Sequence, residues 1–260
     1  MTVISNSWQA LRSLAATRIP LGLSSSLPVG PQQPVQSDHA RDTLHSPLDT
    51  SALVQALGAV LPGHPDAMQL ASDAPDRTTY LQRPGLGRRL HSVAHDRLAA
   101  LYQPVCPYDL ALVVVDGVSA PAITRNAVLF LHALLQRLDA EDWSLAPTSI
   151  VTQGRVAIGD EVGQLLGAKA VVVLVGERPG PDGPDSMGLC LTWAPQVGLT
   201  DAARNRISNV RPGGLSYFDA AHQLHMLLRK SRKQQLSGVG LQDETLAVLK
   251  EEAGRRFLSF

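Results

Sequence analysis

The stretch VTQGRVAIGDEVGQLLGAKAVVVLVGERPG, residues 151–180, decides the fold. It opens on the end of PTSIVTQ (147–153), a short run that reads as a strand. GDEVGQLLG (159–167) follows as a helix, and AVVVLVG (170–176), apolar throughout, as a buried strand. Strand, helix and strand in that order imply a largely parallel sheet with helices on its faces. Glu177 and Arg178 come directly after the buried strand. In open α/β sheets the crevice beyond the carboxyl ends of strands is where ligands usually bind. A bare surface ion pair there contributes only ~0–1 kcal/mol. The loop GERPGPDGPDS, rich in Gly and Pro and carrying two further acids, favours a binding role instead.

The same pattern extends on both sides. DLALVVV (109–115) is an apolar, β-branched run, and SAPAITRNAVLFLHALLQRL places Ile123, Ala127, Phe130, Leu131, Leu134 and Leu138 at helical spacing. MGLCLTWA (187–194) reads as a fourth short strand, with antiparallel pairing as one option. SYFDAAHQLHMLLRKSRKQ (216–234) reads as a closing helix whose basic end suits the helix dipole. Upstream of about residue 105 the chain changes character. Trp8, Leu11, Leu14 and Ala15 share one face of a short helix. LSSSLPVGPQQPVQS (23–37) reads as an extended linker, and Asp49 caps a helix carrying Leu53, Leu57 and Leu61. A further helix is expected over about 87–102. The division is residues 1–37 as helix and linker, 38–104 as a helical N-terminal part, and 105–260 as the α/β part.

Composition narrows the function. Lys+Arg and Asp+Glu balance at 23 each, which argues against nucleic acid as the main partner. No apolar run approaches the ~18–20 residues of a membrane span, and no signal peptide opens the chain. Cys106 and Cys190 form neither a zinc spacing nor a disulfide framework. These features read as a soluble, cytoplasmic protein.

Four local constellations carry chemistry. VVVDGVSAPAIT resembles a strand-to-helix nucleophile elbow around Ser119, but Pro121 stands where a small residue is wanted, and Ser119 reads better as an N-cap. A free-standing α/β serine hydrolase using Ser119 is therefore the rival reading. Gly159, Gly163 and Gly167 fall on one helix face, suited to close approach to a sheet or a flat ligand. Their spacing is not GxGxxG. RNRISNVRPGG (204–214) interleaves Arg204, Arg206 and Arg211 with amide and hydroxyl side chains. Such a set suits a ligand bearing amides and a phosphate, or a loop–helix capping network. Arg77, Arg83, Arg88 and Arg89 read as a solvated basic face or an anion-binding one. His222 and His225 lack partners at metal-ligand spacing.

Taken in order, WQALRSL, ARDTLHSPLD, APDRTTYLQRPGLGRRL, YDLALVVVDGVSA, the 151–180 stretch, TDAARNRISNVRPGGLSY and SGVGL resemble the small subunit of ethanolamine ammonia-lyase over nearly the whole chain. The resemblance implies a helical N-terminal part before a Rossmann-like domain, and a large-subunit partner, six copies of each, that holds the substrate ethanolamine. It implies adenosylcobalamin between the subunits, with its own base still on cobalt, and radical deamination to acetaldehyde and ammonia. It implies no catalytic residue in this chain. The family's cofactor-binding valine in QGRVA matches Val156 and its glutamate in GERPG matches Glu177. The family's third cofactor-binding position, a cysteine within RNCISN, is Arg206 here, which either points away from the cofactor or reaches a phosphate or amide oxygen. Some relatives address the enzyme to a bacterial microcompartment through the extreme N-terminus, and the present N-terminus carries no decisive sign of this.

Overall fold

The computed structural model describes residues 44–60, 66–102, 108–177 and 185–241. The expectations placed on the Trp8 helix, the 23–37 linker, Leu61, Cys106 and Arg178 lie outside these residues. In chain order the elements are α1 Thr50–Val60, β1 Met68–Ala71, α2 Arg77–Gln82, α3 Ser92–Ala99, β2 Leu110–Val115 and α4 Ala120–Leu138. They continue with β3 Ser149–Thr152, α5 Ile158–Leu166, β4 Ala170–Gly176, β5 Met187–Trp193, β6 Arg204–Val210 and α6 Tyr217–Gln234.

The strands form one six-stranded sheet of order β1-β3-β2-β4-β5-β6. The first four are mutually parallel, whereas β5 and β6 run antiparallel to their neighbours. The chain is thus α/β with a mixed sheet, parallel across β1, β3, β2 and β4 and antiparallel at β5 and β6, where a Rossmann-like, largely parallel sheet was expected. β4 has the bounds that its apolar run implies, and β5 is antiparallel.

Side-chain alternation sends Leu110, Leu112 and Val114 of β2 to one face, with Val172 and Leu174 of β4. There they meet Phe130 and Leu134 of α4, Leu224 of α6 and Leu57 of α1. Ala111, Val113, Val115, Val171, Val173 and Val175 face the other side, against Val162 of α5 and Leu98 of α3. With both faces covered, β2 and β4 are buried along their whole lengths.

Two strands escaped the sequence reading. β1 lies within the stretch taken as helical. Its MQLA has only four residues, too few to establish a period of two, and pairing with β3 creates it. Its Met68 and Leu70, with Leu90, Ala94 and Leu98, join the core beneath the sheet. β6 is the edge strand opposite β1, with charged and amide side chains partly exposed, the usual protection of a sheet edge. The helix expected from about 87 begins later, after a turn of 3-10 helix over Leu86–Arg88.

α5 sits close to the sheet because of its glycines. A Cβ on Gly159 would lie 2.2 Å from Val173 Cγ2, and one on Gly163 would lie 2.5 Å from Pro195 Cγ. Gly167 is not in the helix but ends it, at φ +67°. Gly159→Ala should therefore destabilise the chain, because overpacking costs about 1–3 kcal/mol while alanine's helix propensity returns only ~1 kcal/mol. Urea unfolding checks the sign.

Candidate functional site

The topology prepares one crevice. The connection from β2 crosses one face through α4 to β3. The next connection crosses the other face through α5 to β4, on the opposite side of β2. Neighbouring connections leaving in opposite directions open a gap at the strand carboxyl ends. Gly117 and Val118 after β2, Arg155, Val156 and Ala157 after β3, and Gly176 and Glu177 at the end of β4 line a cleft of about 330 Å³ there.

All three residues named from the sequence reach this cleft. Val156 contributes a half-buried apolar surface just before α5. Glu177 and Arg206 form an ion pair across it, Nη2 to Oε1 3.0 Å, with side chains 12% and 57% exposed. The other Glu177 oxygen, Oε2, accepts the Asn209 backbone N–H at 3.1 Å. That N–H belongs to a residue at φ +62°, in the left-handed region that asparagine tolerates. Burial pushes the Glu177 carboxyl up. The Asn209 N–H, the Arg206 guanidinium and the Ser186 and Ser208 hydroxyls outweigh it and hold the group below its ordinary value. Gly188 leaves room for this carboxylate, since a Cβ there would lie 2.8 Å from Oε1.

The floor and walls rest on buried ion pairs that the sequence reading did not connect. Arg204, the first residue of β6, holds Asp160 of α5 bidentately, Nη1 to Oδ1 at 2.6 Å and Nη2 to Oδ2 at 2.8 Å. Its remaining N–H groups go to Thr192 Oγ1, Leu199 O and Asp201 Oδ1. Arg77 donates to Asp116 Oδ2 at 3.1 Å and to the Gly117 carbonyl at 2.7 Å, fixing the turn that leaves β2. The Gly154 N–H donates to the other Asp116 oxygen, and Tyr80 donates its hydroxyl to the Gly154 carbonyl. The four arginines read as one basic face are thereby separated. Arg77 is buried in structure, Arg88 lines the cleft, and Arg83 and Arg89 are exposed away from the residues lining it.

Cys190 also lines the cleft, opposite Arg206 in the β5–β6 pairing, and burial pushes its thiol up to about 11. It is protonated at neutral pH and no nucleophile. Ser119 is fully buried at the N-terminus of α4, and its Oγ accepts the Ala122 N–H at 3.3 Å. That is an N-cap, and the serine hydrolase reading is without support. Among the described residues no group of three or more His, Cys, Asp and Glu side chains is placed to hold a metal. Tyr80 and Arg155 are cleft residues that sequence reasoning missed, as it missed the pairing of Arg204 with Asp160 behind it. Only Arg155 carried a signal, as the neighbour of Val156 in QGRVA.

Fold and site together define an α/β protein with a polar, arginine-lined crevice at the carboxyl ends of its parallel strands. A family model described as ethanolamine ammonia-lyase light chain (EutC) matches residues 5–242. The chain is 51% identical to the ethanolamine ammonia-lyase small subunit of Azotobacter vinelandii, covering 96% of this chain and 93% of that one. It is 49% identical to that of Ralstonia nicotianae (99% and 96%), and 50% identical to one from Pseudomonas aeruginosa (96% and 92%). The chain belongs to the ethanolamine ammonia-lyase light-chain family.

Proposed function

We propose that this chain is the cofactor-facing small subunit of an ethanolamine ammonia-lyase. In this reading it presents its crevice to adenosylcobalamin at the interface with the large catalytic subunit. The observation that carries the proposal is the convergence of Val156, Glu177 and Arg206, from three separate stretches, on one cleft at the strand ends. The residues fit the group. The corrin ring bears amide side chains whose N–H groups need acceptors when water is excluded, and Glu177 is an ionised, largely buried carboxylate. Val156 offers an apolar contact. A cleft of about 330 Å³ covers one edge of a macrocycle and does not enclose it, which suits a ligand shared between two chains.

When bound, adenosylcobalamin would supply the radical chemistry that converts ethanolamine to acetaldehyde and ammonia. This chain's residues bind and orient, and none is assigned a proton transfer or a covalent step. The assembly has six copies of each subunit in this reading, with residues 1–37 anchoring the large subunit. No described helix is long and apolar enough to cross a membrane. We place the complex in the cytoplasm, with a bacterial microcompartment as the alternative address.

The test is co-purification with a cognate large subunit, followed by acetaldehyde measurement with and without adenosylcobalamin. Product requiring both chains and the cofactor supports the proposal. Cofactor-independent deamination by the complex refutes it.

A further inference from the structure

The cleft holds more positive charge than its ion pairs use. Four arginines line it, Arg88, Arg155, Arg204 and Arg206, against two carboxylates, Glu177 and Asp201. Arg204 is neutralised by Asp160 behind it, and Arg206 by Glu177. Asp201 lies 3.4 Å from Arg204 Nε. Arg88 and Arg155 have no carboxylate within 4 Å among the described residues, in a chain whose formal net charge is +0.

These two arginines are brought together by backbone. The Arg155 N–H donates to the Gly87 carbonyl at 2.7 Å, so the turn carrying Arg88 is bonded to the loop carrying Arg155. Gly87 allows the approach, because a Cβ there would lie 2.6 Å from both the Gln153 carbonyl and the Tyr80 ring. Tyr80 lines the same cleft as both arginines. The N-terminus of α5 opens at the same cleft through Ala157 and adds its dipole in the same sense. Two guanidiniums on adjoining backbones, unopposed by carboxylate, match a phosphate group in charge and donor geometry.

We infer that Arg88 and Arg155 form an anion subsite, separate from the amide-accepting end at Glu177, that takes a phosphate ester of the ligand. Resting on the cofactor reading above, the group is the phosphodiester joining the corrin to its nucleotide base. The shared chemistry is a phosphate oxyanion, and free phosphate is the other source.

The test measures affinity in the two-subunit complex for adenosylcobalamin and for adenosylcobinamide, which lacks the nucleotide and its phosphate. The variants are Arg88→Met, whose residue is exposed and whose side chain has no hydrogen bond or ion pair among the described residues, and Arg88→Met/Arg155→Met. Charge-assisted hydrogen bonds of the usual strength translate to a loss on the order of 10- to 100-fold for adenosylcobalamin in the double variant. A smaller loss is expected in the single variant, with adenosylcobinamide affinity unchanged in both. Equal losses for the two corrinoids, or no loss for adenosylcobalamin, overturn the subsite. Should the unaltered complex bind neither corrinoid, the cofactor reading itself fails, and inorganic phosphate decides the subsite. A thermal stabilisation by phosphate that the double variant loses retains it for free phosphate, and no stabilisation removes it.

Discussion

Arg204→Met is expected to lower the unfolding free energy by about 3–5 kcal/mol, enough to unfold many single domains at 37 °C. The reason is what the substitution leaves behind. Asp160 is 1% exposed, and Arg204 supplies its only ion-pair partner among the described residues. Burial already pushes the Asp160 carboxyl up, against the pull of the guanidinium, so removing the cation leaves a buried group that must protonate or draw in water. Lysine will not substitute, because one ammonium cannot reproduce the forked pair to Asp160 and the bonds to Thr192 and Leu199 together. The double variant Asp160→Leu/Arg204→Met supplies the control. Replacing both partners by apolar groups is often neutral, so much of the stability should return. Urea unfolding of the single and double variants checks this. A double variant as unstable as the single one would show that the pair acts by holding β6 in place and not by mutual neutralisation.

This pair also marks where the sequence stops being legible. β2 and β4 were readable because burial on both faces makes them continuous apolar runs, LALVVV and AVVVLVG, and the helices between them carry a clear 3.6 period. With those elements and the rule of strand ends, Val156 and Glu177 fall at one edge of the sheet. The partner of Glu177 did not follow. Arg206 meets it only because β5 and β6 pair in a register that sets Cys190 against Arg206, and β6 exists as a strand only by that pairing. Nothing local in RNRISNV gives a period of two, since its buried positions, Arg204, Ile207 and Val210, recur at three. A bulge between Met187 and Leu189 shifts the register within the pair and breaks the expected alternation. Likewise Asp160 sits in a helical first turn, where an acid ordinarily faces water and the dipole suffices to explain it. The 44 residues between it and Arg204 hide the contact.

Glu177→Ala should reduce the affinity of the two-subunit complex for adenosylcobalamin by roughly 10- to 100-fold, the usual scale for hydrogen bonds to a charged group. The fold should be disturbed far less than by Arg204→Met, since the Arg206 left unpaired is 57% exposed and finds water. A carboxylate accepts about four hydrogen bonds. Glu177 already takes two, from the Arg206 guanidinium and the Asn209 backbone N–H. An incoming amide can therefore take a remaining acceptor site, and Arg206, the exposed donor, is free to swing away. Arg206→Ala should consequently change affinity by less than about fivefold, because an exposed pair is worth only ~0–1 kcal/mol. A large loss in that variant would mean that the arginine itself touches the cofactor. The pH dependence has a fixed sign. Glu177 titrates below its ordinary value when folded, so its contribution is complete above the ordinary carboxylate range and is lost as pH falls through the lowered value. Affinity measured across acidic pH should fall in the unaltered complex, and the portion due to Glu177 should be absent in Glu177→Gln. An identical acid-side loss in both would place the titrating group elsewhere in the assembly.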